Sequence, residues 1–330
     1  MRIGAARTSL LTSTALSATY PTSVKLLYAA DGAPLTPPLI TAVRFTLMAM
    51  GAQASGLLRT EDTGERSGFW LAAAELGVWA TAGAQLNTAA LQQIDVVRGT
   101  IILACINLLT PALSMLIGTS EAQRTVTART WVACVLAALF AIIALSDGAS
   151  AAPISDLAAR QHGDGLALGA ALCFATQQVR LGSLVSAHNP QRLAAARLQT
   201  QAACSLVLLP LAGGTQENAG SAVMVDELSA LAARSGEWIS ALSGTQAGLL
   251  CFSACTAVIG LLLQFQGQRY VTAASAQPIY AASPILAAVW ARLVLAEPIT
   301  ANECLGGLGI SGAAVLACTS KMGVQEGSKK

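Results

Sequence analysis

Runs of about twenty apolar residues recur along the whole chain, separated by polar connections that are mostly short. A helix that crosses a bilayer needs about 20 predominantly apolar residues. Ten runs satisfy this, at about 8–29, 36–58, 69–91, 96–118, 129–147, 164–187, 192–213, 244–267, 271–296 and 301–319. Only 11% of the 330 residues are charged, against about 25% in a typical soluble domain. The pattern predicts an all-α integral membrane protein with ten transmembrane helices.

Short segments of the first half recur in the second half at matching places. "SVKLL" (23–27) parallels "QVRLG" (178–182), "TAVRF" (41–45) parallels "AAARL" (194–198), and "LLTPALSML" (108–116) parallels "AASPILAAV" (281–289). Each half then holds five spans, and an odd number inserts the two halves in opposite orientations. We expect two inverted five-helix repeats, 1–147 and 164–330, with a linker at 148–163 and a polar loop at about 214–243. Inverted repeats are frequent in secondary transporters, where the solute binds between the halves.

The distribution of Lys and Arg predicts the orientation of the chain. With the N-terminus inside, eleven basic residues fall in inside segments and four fall outside, namely Arg98, Arg160, Arg234 and Arg292. Both termini are therefore expected on the cytosolic side or its organellar equivalent. The apolar run after the first arginines is long and more spans follow, so it is interpreted as a helix and not as a signal peptide. An upstream targeting segment is left open.

Charged residues inside predicted spans are the first candidates for function, because they are costly in a membrane and mark solute pathways. Arg44 and Arg197 lie about a third of the way into their runs, and Glu75 is the single acid within a span. One interpretation is an anion-binding centre on the two arginines, with Glu75 as their counter-ion or a proton carrier. The other is snorkelling arginines plus one structural ion pair. Both interpretations stay open.

Lys25 and Arg180 form a second matched basic pair within predicted spans. Uncharged polar side chains add further candidates for a translocation pathway. They either bind a polar solute or join neighbouring helices by hydrogen bonds. These candidates are Gln85, Gln92, Gln264, Gln268 and Tyr280.

Two prolines occupy corresponding places in the fourth and ninth predicted spans. Proline inside a helix removes one backbone hydrogen bond and kinks the helix, which membrane proteins tolerate where the freed group faces protein or water. Pro111 and Pro284 therefore predict kinked helices that either line a cavity or bend for packing. Arg292 and Glu297 follow Pro284 near the end of the span and are expected to anchor it at the interface.

Several classes of site find no support in the sequence. The eight cysteines lie in apolar segments without metal-ligand spacing, so all are expected to be small buried residues. "GLGISG" (307–312) fits GxGxxG but lies within an apolar span, where a close-packing face is expected in place of a nucleotide site. Neither histidine has metal-ligand spacing. We expect no metal, no cofactor, no nucleic-acid partner and no enzymatic activity, and without an ATP site any transport is secondary or facilitated.

The chain resembles the EamA type of the drug/metabolite transporter superfamily. The resemblance rests on the five-plus-five arrangement, "TAVRF", "AAARL", the two proline segments and the end of the second repeat, "SPILAAVWARLVLAEPITANECLGGLGISGAAVLA". Glu297 matches the family's leucine-glycine-glutamate turn, although Ala296 stands where glycine is usual. Repeat one has Arg124 at the position equivalent to Glu297. "ALQQIDVVR" (90–98) is similar to a plant and algal branch but lacks its threonines.

The resemblance implies a transporter that moves a small polar or anionic metabolite by alternating access. Its central cavity would be lined by helices one to four and six to nine. The alternative is a membrane scaffold or assembly protein that retains the fold without transport; a membrane-embedded enzyme lacks a catalytic constellation. The expected partners are a small-molecule solute and the lipid bilayer, with a homodimer left open. The plant and algal likeness points to a plastid envelope.

Overall fold

The structure is a computed structural model that describes residues 3–32, 35–56, 68–119, 128–146, 154–213, 242–271, 276, 279–280, 282–297 and 299–318. Within these ranges the regular structure is entirely helical. The helices are α1 (Ile3–Ser17), α2 (Thr19–Ala29), α3 (Pro37–Ala54), α4 (Phe69–Gln93), α5 (Val96–Leu103), α6 (Ile106–Ile117), α7 (Ala128–Ser146), α8 (Ile154–Leu184), α9 (Pro190–Gly213), α10 (Gly244–Gln268), α11 (Ser283–Trp290) and α12 (Ala301–Cys318). A π-helical turn, Ala291–Leu295, continues α11.

The helices lie where the apolar runs predicted them, and two predicted spans are each divided in two. The first span is interrupted at Ala18, between α1 and α2. Pro21 has no N–H to donate to the carbonyl of Ser17, which explains an interruption at this place. The fourth span is interrupted at Ala104 and Cys105, where the N–H of Cys105 bonds the carbonyl of Ile102 at 2.9 Å in a tighter turn.

The two prolines that were predicted to kink their spans lie at different places in their helices. Pro111 lies inside α6, which continues through it to Ile117, so a kink there stays a prediction. Pro284 lies in the first turn of α11, where its missing N–H breaks no helical bond. Residues 279–280 before the turn at Ala282 are also helical, so a kink of the span at Pro284 stays a prediction.

The segments predicted to connect the repeats lie partly outside the described residues. The polar loop predicted at 214–243 falls almost wholly there, as does Arg124. At the predicted linker 148–163, α8 already begins at Ile154, ten residues before the expected span.

One described helix, α10, is long and apolar enough to cross a membrane by length and composition. Shorter apolar stretches cover Trp131–Ile143 and Ser283–Leu295. Polar residues within the other described helices lower their hydropathy. Arg44 lies in α3 and Arg197 lies in α9.

The largest apolar core joins helices from both halves of the chain. Its side chains come from α3, α4, α8, α9 and α10, with Phe45, Leu76, Leu198 and Phe265 at most 2% exposed. α8 packs along α4, α9 packs against α3 and α4, α1 packs against α10, and α12 packs against α7. Small residues allow the closest approaches, and a Cβ atom on Gly77 of α4 would overlap the Thr200 side chain of α9. This packing holds the helices around a central cavity.

Candidate functional site

A cavity of about 280 Å³ lies between the helices of the two halves, near the middle of their length. Every helix from α1 to α6 and from α8 to α11 contributes to its wall, whereas none of the described residues of α7 and α12 does. The cavity therefore has the lining that was predicted, from spans one to four and six to nine. Its polar lining residues are Ser13, Thr14, Ser17, Tyr20, Arg44, Asn87, Thr100, Asn107, Gln177, Gln178, Arg197, Gln201, Thr256, Gln264, Tyr280 and Ser283.

Arg44 enters this cavity from α3 and is only 8% exposed. Its guanidinium carbon lies 4.0 Å from the centre of the Tyr20 ring, a cation–π contact that holds the side chain against α2. The Tyr20 hydroxyl is itself fixed at 2.6 Å from the Thr88 hydroxyl. The Nε atom of Arg44 is buried and has no hydrogen-bond partner within the described chain. Arg44 is thus positioned by an aromatic ring and not by an acid.

Arg197 enters the same cavity from α9 and is 7% exposed. One terminal nitrogen donates to Oε1 of Gln177 at a long 3.4 Å, and the guanidinium carbon lies 5.7 Å from the centre of the Phe265 ring. Its Nε and its other terminal nitrogen are buried without a partner among the described atoms. Leaving a buried charged donor without a partner is costly, so this arrangement favours an additional acceptor in the cavity.

Glu75 does not pair with either cavity arginine, so of the two open interpretations the arrangement does not support Glu75 as their counter-ion. Its carboxylate forms an ion pair with Arg180 through two hydrogen bonds. The Nε of Arg180 donates to Oε1 of Glu75, and a terminal nitrogen of Arg180 donates to Oε2 at 2.9 Å. The pair is partly exposed and joins α4 to α8 outside the cavity lining. Glu75 is on α4, and the register of α4 against α8 brings it to Arg180. Such a pair fits the structural interpretation of Glu75 and Arg180.

A cluster of amide side chains and one phenol forms another part of the wall. Gln268 is 2% exposed, and its Nε2 donates to Oε1 of Gln178 at 2.6 Å and to the Tyr280 hydroxyl at 3.0 Å. Gln264 also contacts the Tyr280 hydroxyl through its side chain. Gln264 and Tyr280 were predicted candidates and line the cavity, while Gln268 lies directly behind them. The cluster offers fixed, neutral hydrogen-bonding groups.

The other predicted candidates lie outside the cavity lining. Gln92 is exposed near the end of α4, and Gln85 has a buried Nε2 without a partner in the described structure. Lys25 is half-buried on α2, and its charge acts on the carboxylate of Glu297. The structure does not bring these three residues to the arginines, because they lie on other faces of their helices.

Glu297 has a more specific position than the predicted interfacial anchor. Its Oε1 accepts a bond from the Val96 N–H at 3.5 Å, at the N-terminus of α5, which favours a negative charge. Burial and the nearby charge of Asp95 nevertheless raise the pKa of this carboxyl group above its ordinary value. Arg292 is exposed and donates to the backbone carbonyl of Glu297 at 3.5 Å.

Sequence reasoning missed several lining residues, most clearly Gln177, Gln178 and Gln201. Gln201 follows Arg197 by four residues, so the two share one face of α9. Gln177 and Gln178 follow Phe174 on the face of α8 that lines the same cavity. The helical spacing from Arg197 was the signal that could have identified Gln201. Asn87 and Asn107 also line the cavity, and their polarity inside apolar runs was visible in the sequence.

The motif and cysteine expectations have mixed outcomes. "GLGISG" lies inside α12, where a Cβ on Gly309 would overlap the Phe140 ring of α7, so the motif packs helices as expected. Within the described ranges no three His, Cys, Asp or Glu residues form a group suited to a metal ion. The expectation that all cysteines are buried is wrong, because Cys251, Cys255 and Cys304 lie exposed on helix surfaces.

Comparison with known proteins finds a family match in one part of the chain and a likeness of fold. Residues 161–319 match the EamA-like transporter family, so the resemblance found in the sequence is confirmed over the second half of the chain. No curated protein matches the chain by sequence. A solved structure titled "Crystal structure of protein" is similar with a TM-score of 0.62 at 15% identity, covering 95% of this chain and 98% of that one. That likeness concerns the fold alone.

Residues 161–319 are therefore similar to a family of multi-pass membrane transporters of small solutes. The match covers slightly less than half of the 330 residues and is a similarity of that part of the chain.

Proposed function

We propose that this protein is a secondary or facilitative transporter that carries a small polar or anionic metabolite by alternating access. The observation that carries the proposal is the pair of buried arginines, Arg44 and Arg197, in the wall of one cavity. Both have buried nitrogen atoms that the described chain leaves without acceptors. An incoming solute with acceptor oxygens would supply the missing bonds.

Burial makes the charge of each of these arginines costly. A buried guanidinium without an anionic partner is unfavourable, and the nearest expected counter-ion, Glu75, is bound to Arg180. Proteins retain ionisable groups inside a membrane mainly where a solute or ion pathway needs them. Arg44 and Arg197 are therefore assigned as solute contacts, with Gln264 and Tyr280 as neutral contacts in the same cavity.

The proposed architecture has ten spans in two inverted five-helix repeats. Helices from both halves of the chain surround the cavity, and Arg44 and Arg197 enter it from α3 and α9. Alternating access would open this cavity to one side of the membrane at a time. Both termini on the cytosolic side and a plastid envelope location stay predictions from the sequence.

Counterflow in proteoliposomes tests the transport proposal. Labelled amino acids, organic acids, sugar phosphates, nucleosides and nucleotide sugars would be offered to the wild type, Arg44→Ala and Arg197→Ala. We expect saturable flux of one class, reduced roughly tenfold or more by either change, because each removes a buried contact to the solute. Arg269→Ala is the matched control, since Arg269 is exposed and outside the cavity lining, and it should transport normally.

Two results would contradict the proposal. Flux that is unchanged in both cavity variants would remove Arg44 and Arg197 from the pathway. No flux from folded protein, together with one stoichiometric partner in a pull-down, would instead support a scaffold that retains the transporter fold.

A further inference from the structure

The charged side chains of the cavity wall are all of one sign. Among the described lining residues, Arg44 and Arg197 are positively charged, and no Asp, Glu, Lys or His accompanies them. Glu75 is held by Arg180 outside the lining and cannot neutralise either arginine without breaking that pair. The cavity therefore presents two formal positive charges to whatever enters it.

The groups that hold the two arginines do not cancel these charges. Arg44 lies over the Tyr20 ring, and Arg197 contacts the Phe265 ring and the Gln177 amide, all of which are neutral. Cation–π contacts orient a guanidinium and leave its N–H groups free to bind an anion edge-on. Three buried nitrogens of these two residues lack an acceptor, Nε of Arg44 and Nε and one terminal nitrogen of Arg197.

The neutral part of the wall is suited to hydroxyl groups. Gln268 donates to both Gln178 and Tyr280, and this fixes the amide oxygens and the phenol before any solute arrives. Each of these groups can accept or donate one further bond. A cavity of about 280 Å³ is at the small end of ligand-binding cavities and limits the solute to a few carbon atoms.

We propose that the transported solute is a small dianion that carries at least one hydroxyl group; this inference rests on the proposed transport function. Two guanidinium groups balance two negative charges. A zwitterion or a cation would place its positive group in a cavity that already holds two, with no described carboxylate to receive it. The dianion can be a dicarboxylate or a phosphate monoester, which share this chemistry and are distinguished in the test.

The test uses one carbon skeleton at three charges. Succinate, succinamate and succinamide have nearly the same shape and carry two, one and no negative charges at neutral pH. Their affinity is measured by the thermal shift of the purified wild-type protein, and their flux by counterflow in proteoliposomes. We expect succinate to bind about tenfold or more tightly than succinamate, and succinamide to be inert. Malate should bind more tightly than succinate because its hydroxyl group reaches the amide cluster.

Two further probes complete the series. Glycerol phosphate tests a phosphate monoester as the source of the dianion, and serine tests a zwitterion.

Charge-selective variants separate a binding role from a structural one. Arg44→Gln and Arg197→Gln keep a polar amide that can donate hydrogen bonds, remove one charge and shorten the side chain. Each should lower the preference for succinate over succinamate by about tenfold. Arg269→Gln should leave the preference unchanged, since Arg269 is exposed outside the lining.

Each remaining outcome contradicts a definite part of the argument. Transport of succinamate or serine equal to that of succinate would overturn the dianion assignment and leave the transport proposal standing. An unaltered charge preference in both glutamine variants would also overturn the assignment. Absence of binding and flux for every probe, from folded protein, would overturn the dianion assignment, and if the wider metabolite panel were also silent, the transport proposal as well.

Discussion

Ala296 adopts a left-handed backbone conformation with φ 53°, directly after the π-helical turn Ala291–Leu295. It is the one described non-glycine residue with a positive φ. A Cβ atom in this conformation approaches the following carbonyl group and costs about 1 kcal/mol. Glycine is favoured at such helix ends because it lacks the Cβ atom. This geometry explains why glycine is usual at this place in the family that the chain resembles.

The substitution Ala296→Gly should therefore stabilise the protein by up to about 1 kcal/mol, less the entropy that glycine adds to the unfolded chain. Thermal unfolding in detergent would show a small rise in the midpoint temperature. Ala203→Gly is the control, because Ala203 is exposed within α9 and should lose about 1 kcal/mol. Equal destabilisation by the two changes would show that the conformation at Ala296 carries no strain.

Glu297 makes stability depend on pH. Burial and the charge of Asp95 raise the pKa of Glu297 in the folded protein above its unfolded value, while Lys25 acts in the opposite direction. The folded state then binds this proton more tightly than the unfolded state does. Its contribution to the free energy of unfolding is present at low pH and is lost as the pH rises through the folded pKa.

Glu297→Gln should flatten this dependence. The difference in midpoint temperature between the variant and the wild type should shift in favour of the variant as the pH rises through the acidic range. Asp95→Asn should move the wild-type transition to lower pH, because it removes a like charge. A difference that stays constant across the acidic range would show that Glu297 titrates at its ordinary pKa.

At the scale of helices, apolar runs predicted the positions of the helices well and the contacts between them poorly. The run at about 36–58 became α3, Pro37–Ala54, and the run at about 244–267 became α10, Gly244–Gln268. Apolar run length shows which residues leave water, and each helix satisfies its own backbone. The start of α8 at Ile154 was missed because its first turns are polar and extend beyond the apolar run.

In the candidate site, too, the sequence predicted which residues are involved but not which of them contact each other. Arg44 and Arg197 were found because a charge inside an apolar run is conspicuous, and both line the cavity. The partner of Glu75 was not predictable, because it depends on how α4 and α8 are rotated and aligned. A hydropathy pattern contains no information on that alignment.

Gly309 decides how closely α12 packs against α7. A Cβ atom there would overlap the Phe140 ring, whereas a Cβ atom on Gly312 would meet open space. Gly309→Ala should destabilise the protein by about 1–3 kcal/mol because Phe140 must leave its position. Gly312→Ala should be neutral or stabilise the protein by up to about 1 kcal/mol, from the greater helix propensity of alanine.

Thermal unfolding of the two variants in one detergent measures both effects. Adding Phe140→Leu should recover part of the stability that Gly309→Ala loses. Equal midpoints for the two variants would contradict this packing.

At the scale of the whole molecule, α8 is joined to the first half of the chain at two places, one about a third of the way along the helix and one near its C-terminal end. Arg98 of α5 binds the carboxylate of Asp164 through two bonds of 2.8 and 2.7 Å. Arg180, sixteen residues further along α8, binds Glu75 of α4. Sixteen residues of helix span about 24 Å. The two ion pairs thus lie far apart on one helix that lines the cavity.

Reversing the charges at the Arg98 end tests this relation. Arg98→Asp places two acids together in a partly buried position and should cost about 2 kcal/mol or more, lowering the midpoint of thermal unfolding. The double change Arg98→Asp with Asp164→Arg restores opposite charges and should recover part of the loss. Arg160→Gln is the control at the same end of α8, because Arg160 lies 3.9 Å from the largely exposed Asp95 and such pairs contribute about 0–1 kcal/mol.

If the pair also restrains opening of the cavity, changing it should alter flux as well as stability. The exchanged pair should recover both stability and flux, whereas Arg98→Gln should lower the midpoint temperature and change the flux under identical gradients. Recovery of stability without recovery of flux would show that Arg98 has a further role in transport. Full stability in Arg98→Asp alone would contradict the ion pair as a link between the halves.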